Sequence, residues 1–201
     1  MKQHINIATI IASIILTATP VRADYQAGMS AYRVHHYKWA IKEFKTDQTR
    51  ESEYMLGVIY YNGEGVKVDQ VEGTAWFRKS ADQGHAQAQY VLGNIYFEGK
   101  GVALDRTEAA KWYRKAAEQG HLQAQYNLGL IYMSGDGVEK NRNKAVIWLK
   151  KATLSGSRDA GRLLKIMGEE IPAPIQPNGA KSPKKPLTEG APSVLPPGHL
   201  Q

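Results

Sequence analysis

Cysteine is absent from this 201-residue chain. That excludes disulfides, thiol nucleophiles, cysteine-bound metals and an acylated lipoprotein cysteine. Long apolar runs are missing too. The longest starts at Ile5 and reaches Leu16, about 12 to 15 residues against the ~20 that span a bilayer. With Lys2 before it and Val21-Arg22-Ala23 after it, the run reads as a secretory leader cleaved before Asp24. Export is the expectation, to the periplasm first, with secretion as the alternative and no membrane span after cleavage. A contiguous basic stripe is lacking as well. The net charge is +7, of which the leader and the segment from Ile171 carry +2 each, leaving +3 on a body of interspersed signs. Nucleic-acid binders cluster their basic residues, so nucleic acid is not an expected partner. Proline, finally, is nearly confined to one end: eight of the nine lie from Pro172 to Pro197.

What the chain does contain is a repeat. Tyr54-Met55-Leu56-Gly57-Val58-Ile59-Tyr60 recurs as Tyr90 to Tyr96 and as Tyr126 to Tyr132, 36 residues apart each time. Gly63/Gly99/Gly135, Gly65/Gly101/Gly137, Val66/Val102/Val138, Trp76/Trp112/Trp148 and Gly84/Gly120/Gly156 keep the same period. A constant period in this range signals stacked supersecondary units. Each unit reads helix A, a Gly-x-Gly loop, then helix B. The apolar spacing places helix A at 50–62, 86–98 and 122–134, with Ala88, Leu92, Ile95 and Tyr96 on the buried line of the middle copy. Gly57, Gly93 and Gly129 lie inside these helices, at a cost of about 1 kcal/mol each relative to alanine. Close approach of a bulky partner would compensate, and the repeated tryptophan of helix B is the expected partner. Asp69 with Glu72 and Asp105 with Glu108 have capping-box spacing. Asn141 with Lys144 keeps the cap and loses the acid, which predicts a more frayed first turn at 142–144.

Two short helices over Ala27–Tyr32 and Tyr37–Phe44 precede the units, without a Gly-x-Gly loop and with a link to the next helix about four residues shorter. They read as an atypical terminal repeat. A last helix near 158–168 keeps Ala160 and Leu164 but has Lys165 at the packing glycine, and reads as the other cap. The expected organisation is a leader over 1–23, a hairpin over 24–48, three repeats over 49–156, a capping helix over 157–170 and a Pro/Lys tail over 171–201. The tail cannot bury enough apolar surface to fold. It reads as an extended spacer, a ligand for a proline-reading or acidic partner, or an inert solvated end.

Leu-Gly-x-x-Tyr, Gly-x-Gly-Val, then Ala and Trp with Lys115-Ala116-Ala117, all on a 36-residue period, resemble the Sel-one-like repeat of the tetratricopeptide superfamily. The resemblance covers roughly Glu51 to Leu164. It implies an all-α fold, an α/α solenoid of antiparallel helix pairs in a right-handed superhelix whose concave groove is lined by helix A. It also implies an exported adaptor, regulator or host-interaction factor. The missing inter-helix cysteines set the chain apart from the cysteine-rich relatives and the penicillin-related activities proposed for them.

Catalytic patterns are weak. Gly93 to Lys100 comes near the letters of a phosphate loop, but five residues separate its glycines where the loop has four, Gly101 follows instead of Ser or Thr, no strand precedes it, and helical amides are already bonded. His35 and His36 are adjacent and diverge on a helix; His85 and His121 start helices in separate units. No enzyme, cofactor or metal is expected. A surface is the better candidate. If Ala88, Leu92 and Tyr96 face helix B, then Gln87, Tyr90, Asn94 and Phe97 form the adjacent face of helix A. Its equivalents are Glu51, Tyr54, Val58 and Tyr61 before it, and Gln123, Tyr126, Leu130 and Met133 after it. Such an aromatic face suits a protein or peptide, where a few anchors supply most of the energy. The plainer reading is that these tyrosines only pack between units. Peptidoglycan or another glycan is the alternative partner, with the chain as accessory to an envelope enzyme or as a weak hydrolase.

Overall fold

The structure, a computed structural model, describes residues 21–172. Most of the expected leader and all of the tail beyond 172 lie outside the described residues. Those described form nine helices: α1 (Val21–Arg33), α2 (Tyr37–Asp47), α3 (Arg50–Asn62), α4 (Gln70–Asp82), α5 (Ala86–Glu98), α6 (Arg106–Glu118), α7 (Leu122–Ser134), α8 (Arg142–Leu154) and α9 (Arg158–Ile166). Each packs chiefly on its sequence neighbours, which makes an α/α solenoid rather than a closed globule. The helix-A series is α3, α5 and α7; the helix-B series is α4, α6 and α8. No helix among the described residues is long and apolar enough to cross a membrane.

The core is a chain of clusters, and the middle ones straddle two units. Val58 and Phe77 of the first unit join Leu92, Ile95 and Trp112 of the second. Tyr113 and Ala116 of the second join Leu128, Ile131 and Ala145 of the third. Phe44 and Ala40 of α2 close one end over Leu56 and Ile59, and Leu164 of α9 closes the other over Leu149. The α1–α2 pair and the single helix α9 therefore cover the two ends of an otherwise open apolar stack.

The helix-interior glycines meet a different residue from the one expected. A Cβ on Gly93 would lie 2.5 Å from Tyr113 Cδ1, one on Gly57 would lie 2.5 Å from Phe77, and one on Gly129 would lie 2.8 Å from Leu149. The partner is the residue after each tryptophan. One residue is a 100° rotation on a helix, so Phe77, Tyr113 and Leu149 point at helix A of their own unit. Trp112 points aside instead, into the seam with the first unit.

The reciprocal arm of the capping box is also missing. Asp69, Asp105 and Asn141 do cap, accepting from the amides of Glu72, Glu108 and Lys144 at 2.9 Å each. Their own amides, however, donate to the carbonyls of Tyr60, Tyr96 and Tyr132 at 2.9, 2.9 and 2.8 Å. Glu72 instead accepts from Trp76 Nε1 at 2.8 Å, and Glu108 pairs with Lys111 at 3.0 Å. The third unit thus loses no capping hydrogen bond, and the expected reason for fraying fails. What remains is a lysine instead of an acid near the positive end of the helix dipole, an effect of about 0.3–1 kcal/mol that salt screens. Amide exchange faster at 142–144 than at 106–108 in low salt should converge on it in 0.5–1 M salt. A difference that persists in salt would return the argument to a missing bond.

The hairpin is short in another place than expected. Two residues link α2 to α3, against three in later units, whereas three residues (34–36) join α1 to α2 where the later pairs use seven.

Candidate binding face

Each helix A starts from a side-chain cap: Thr49, His85, His121 and Ser157 accept from the amides of Ser52, Ala88, Ala124 and Ala160. The two histidines do this through Nδ1, at 3.3 and 3.2 Å. Capping fixes each imidazole beside the tyrosine of the preceding unit. His121 stacks on Tyr90 with ring centroids 4.6 Å apart, and His85 lies 5.0 Å from Tyr54. His121 Nε2 is also 2.8 Å from Gln87 Oε1. The result is a partly buried ladder of Tyr54, His85, Tyr90 and His121 along the starts of α3, α5 and α7. Sequence reasoning placed both histidines at helix starts and missed their part in this face. The signal was their place at the start of His-x-Gln-Ala-Gln-Tyr in both copies.

The expected face residues divide. Gln123 is exposed, while Glu51, Gln87, Tyr54, Tyr90, Tyr126 and Leu130 are partly buried. Glu51 pairs with Arg50 at 2.8 Å. Tyr54 and Tyr90 pack within their own units, 5.6 Å from Phe77 and 6.0 Å from Tyr113, and across to the next unit against His85 and His121. Burial pushes the Tyr54 hydroxyl up to about 12. Tyr61, Phe97 and Met133 are also partly buried; the Arg106 guanidinium lies 5.3 Å over the Phe97 ring. Two positions cannot meet a ligand. Val58 is wholly buried. Asn94 is buried too, and its Oδ1 accepts from Tyr113 OH at 2.7 Å. In the first unit Val58 faces Phe77, so hydroxyl and acceptor appear together or not at all, as a buried polar pair requires.

A second ladder runs beneath. Gln119 Nε2 donates to Gln89 Oε1 at 2.7 Å, and Gln89 Nε2 donates to the Ala81 carbonyl at 3.0 Å. Ser155, Gln125 and the Ala117 carbonyl repeat this at 3.0 and 3.2 Å. In the first unit Glu53 replaces the glutamine and accepts from Gln83 at 2.6 Å. Burial raises its carboxyl, and Lys79 and Gln83 offset part of that.

Burial lowers both capping histidines below their ordinary value; for His85, Glu51 opposes the shift and Arg50 adds to it, and His85 in turn lowers His121. The unfolded chain therefore takes up these protons first, near pH 6.5. The stability from neutral caps is complete above that pH and is lost as pH falls below it. The urea midpoint should drop between pH 7.5 and 5.5, and His85→Asn/His121→Asn, which keeps both caps, should flatten the drop. An unchanged slope in the double variant would place the titration elsewhere.

No group of three or more His, Asp or Glu side chains able to hold a metal occurs among the described residues. Gly93 and its neighbours through Glu98 lie inside α5, so the phosphate-loop lookalike has no free amides to offer.

The Sel1 repeat family matches the chain over residues 50–85, 86–121 and 122–157. The chain belongs to the Sel1 repeat family. Among curated proteins, none matches it. Two solved structures are similar at the level of both fold and sequence. A Sel1 repeat protein from Oxalobacter formigenes superposes with a TM-score of 0.68 at 31% identity, over 73% of this chain and 63% of that one. A protective antigen present in uropathogenic Escherichia coli strains, with an SLR fold, gives 0.69 at 36% identity, over 73% of this chain and 33% of that one. The chain thus spans less than two thirds of either. Helicobacter pylori cysteine rich protein B, at 23% identity and a TM-score of 0.51 over 73% of this chain and 98% of that one, shares the fold.

Proposed function

We propose that this Sel1 repeat chain is an exported, non-catalytic scaffold that holds a protein or peptide on the helix-A face. The observation that carries this is the Tyr54–His85–Tyr90–His121 ladder, rimmed by Gln87, Gln123 and Glu51. Its rings are fixed by packing and caps, so a bound segment meets a preorganised surface and little side-chain entropy is lost. Tyr126, Leu130, Phe97, Tyr61 and Met133 extend the same series of helices and offer apolar contact.

Export rests on the leader pattern of residues 1–23. A host-directed role is the second reading, favoured by the likeness to the protective antigen. Envelope glycan is the third. Pull-down from envelope extract with the mature chain tests the first, against Tyr90→Ala/Phe97→Ala and the exposed Gln123→Arg. Loss of the same protein from both variants, with helical content unchanged, supports the face. Retention by both variants, or sedimentation with purified sacculi that neither variant alters, would overturn it.

A further inference from the structure

The helix-B series changes the chemistry of its outer side at its last member. A helix turns 100° per residue, so Ile147 stands about 200° from Leu149, the residue that fills the notch at Gly129 of α7. The side chains around Ile147 therefore point away from the helix-A layer. At three register positions of this outer side α4 has Glu72, Ala75 and Asp82, and α6 has Glu108, Lys111 and Glu118. At the same positions α8 has Lys144, Ile147 and Leu154. Both acids have gone, one to a base and one to an apolar residue. The basic pairs Arg78-Lys79 and Arg114-Lys115 persist as Lys150-Lys151. As a result α8 has four basic residues and no acid, whereas α6 has four against two and α4 two against two.

The apolar residues of this side are bare. Ile147 is 53% exposed and Leu154 39%. They lie two turns apart, with Lys150 and Lys151 one turn from each. On the other helices such residues stand singly: Trp39 on α2, Val71 on α4 and Ile166 on α9. Among the described residues none of Lys144, Lys150 and Lys151 pairs with an acid. Lys151 Nζ lies 4.2 Å from the Trp148 ring centroid and Lys144 Nζ 5.4 Å from that of Tyr132, contacts that leave their charge uncompensated. Charge and apolar exposure together define the partner. An acidic polymer would meet the lysines and leave Ile147 and Leu154 in water. An anionic bilayer takes both, because apolar side chains enter the headgroup boundary while lysine stems lie along it with their ammonium groups on lipid phosphate. The chain beyond 172 leaves the array from this end and adds Lys181, Lys184 and Lys185. Together with the three of α8 they reach the order of four to eight found in polybasic lipid-binding clusters.

We propose that the outer side of α8 seats the array on an anionic lipid surface and leaves the helix-A face open for its partner. The test is cosedimentation of the mature chain, free of a leader that would itself bind lipid, with two kinds of vesicle: equal phosphatidylglycerol and phosphatidylcholine, and phosphatidylcholine alone. The anionic vesicles should bind it about tenfold more tightly or better, and 0.5 M salt should remove most of that difference. Lys144→Glu/Ile147→Ala/Leu154→Glu gives α8 residues that α4 or α6 already carries there, so the fold tolerates it. At about fivefold per lysine it should weaken binding by about tenfold or more. Lys38→Gln/Lys67→Glu has the same loss of three charges at the far end of the array. It should stay within about twofold of the parent, since charges beyond a Debye length are screened. Ile147→Ala/Leu154→Ala changes no charge and should weaken binding by about threefold or more. Far-UV circular dichroism checks that each variant keeps its helices. No preference for anionic vesicles, or an equal loss from the Lys38/Lys67 variant, would overturn the proposal. So would parental binding by Ile147→Ala/Leu154→Ala, since an acidic protein or polymer needs only the lysines.

Discussion

Trp112→Ala is expected to lower the unfolding free energy by about 3–5 kcal/mol, a large share of the ~5–15 kcal/mol of a typical domain. The side chain is 3% exposed and packs with Val58, Phe77, Leu92 and Ile95, so its loss opens a cavity between the first and second units. Two cations also lose their ring: Lys115 Nζ, 3.9 Å from its centroid, and the Arg78 guanidinium, 5.6 Å away. Trp76 and Trp148 hold the equivalent sites but are only partly buried, and their alanine variants should cost less. Urea unfolding followed by far-UV circular dichroism checks the order. Trp112→Ala costing no more than Trp148→Ala would show that the seam does not depend on this ring.

Gly137→Ala is the second large effect, at about 2–5 kcal/mol from a left-handed alanine plus overpacking. Gly137 has φ 72, and an added Cβ would collide with the Arg106 carbonyl and lie 2.6 Å from Thr107 N. Those atoms are backbone at the start of α6 and cannot turn aside. At Gly65 the same addition meets the Tyr37 side chain, which can move. Relief at Gly137 would come from parting the second and third units, breaking the Arg106–Asp136 ion pair of 2.6 Å on the way. In a linear array such a break uncouples neighbours, so the urea transition should broaden or split. A single sharp transition within 1 kcal/mol of the parent would refute the clash.

Both predictions depend on contacts that a list of spacings does not contain. The helix-A spans of 50–62, 86–98 and 122–134 were legible residue for residue, because apolar periodicity and the following glycine act within one helix. The caps at Asp69, Asp105 and Asn141 were legible for the same reason. The partner of each packing glycine was not. A shift of one residue turns a side chain by 100°, and only the seating of α6 against α5 says that Tyr113, not Trp112, fills the notch at Gly93. The candidate face was legible in part. Periodicity put Tyr54, Tyr90 and Tyr126 on one side, but Val58 and Asn94 share that side and are buried.

The sequence by itself therefore determined the repeat, its period, the start and end of each helix A, the caps that start each helix B, and the two atypical ends. All of these follow from local hydrogen bonding and from which side of a helix is apolar. Only the tertiary structure decided which side chain meets which. It gave the amides of Asp69, Asp105 and Asn141 to tyrosine carbonyls, set His85 and His121 against the tyrosines of the preceding units, and left Trp39 bare. The physical reason is that such contacts depend on the rotation and offset of one helix against another, a geometry that the whole stack fixes and no single segment encodes.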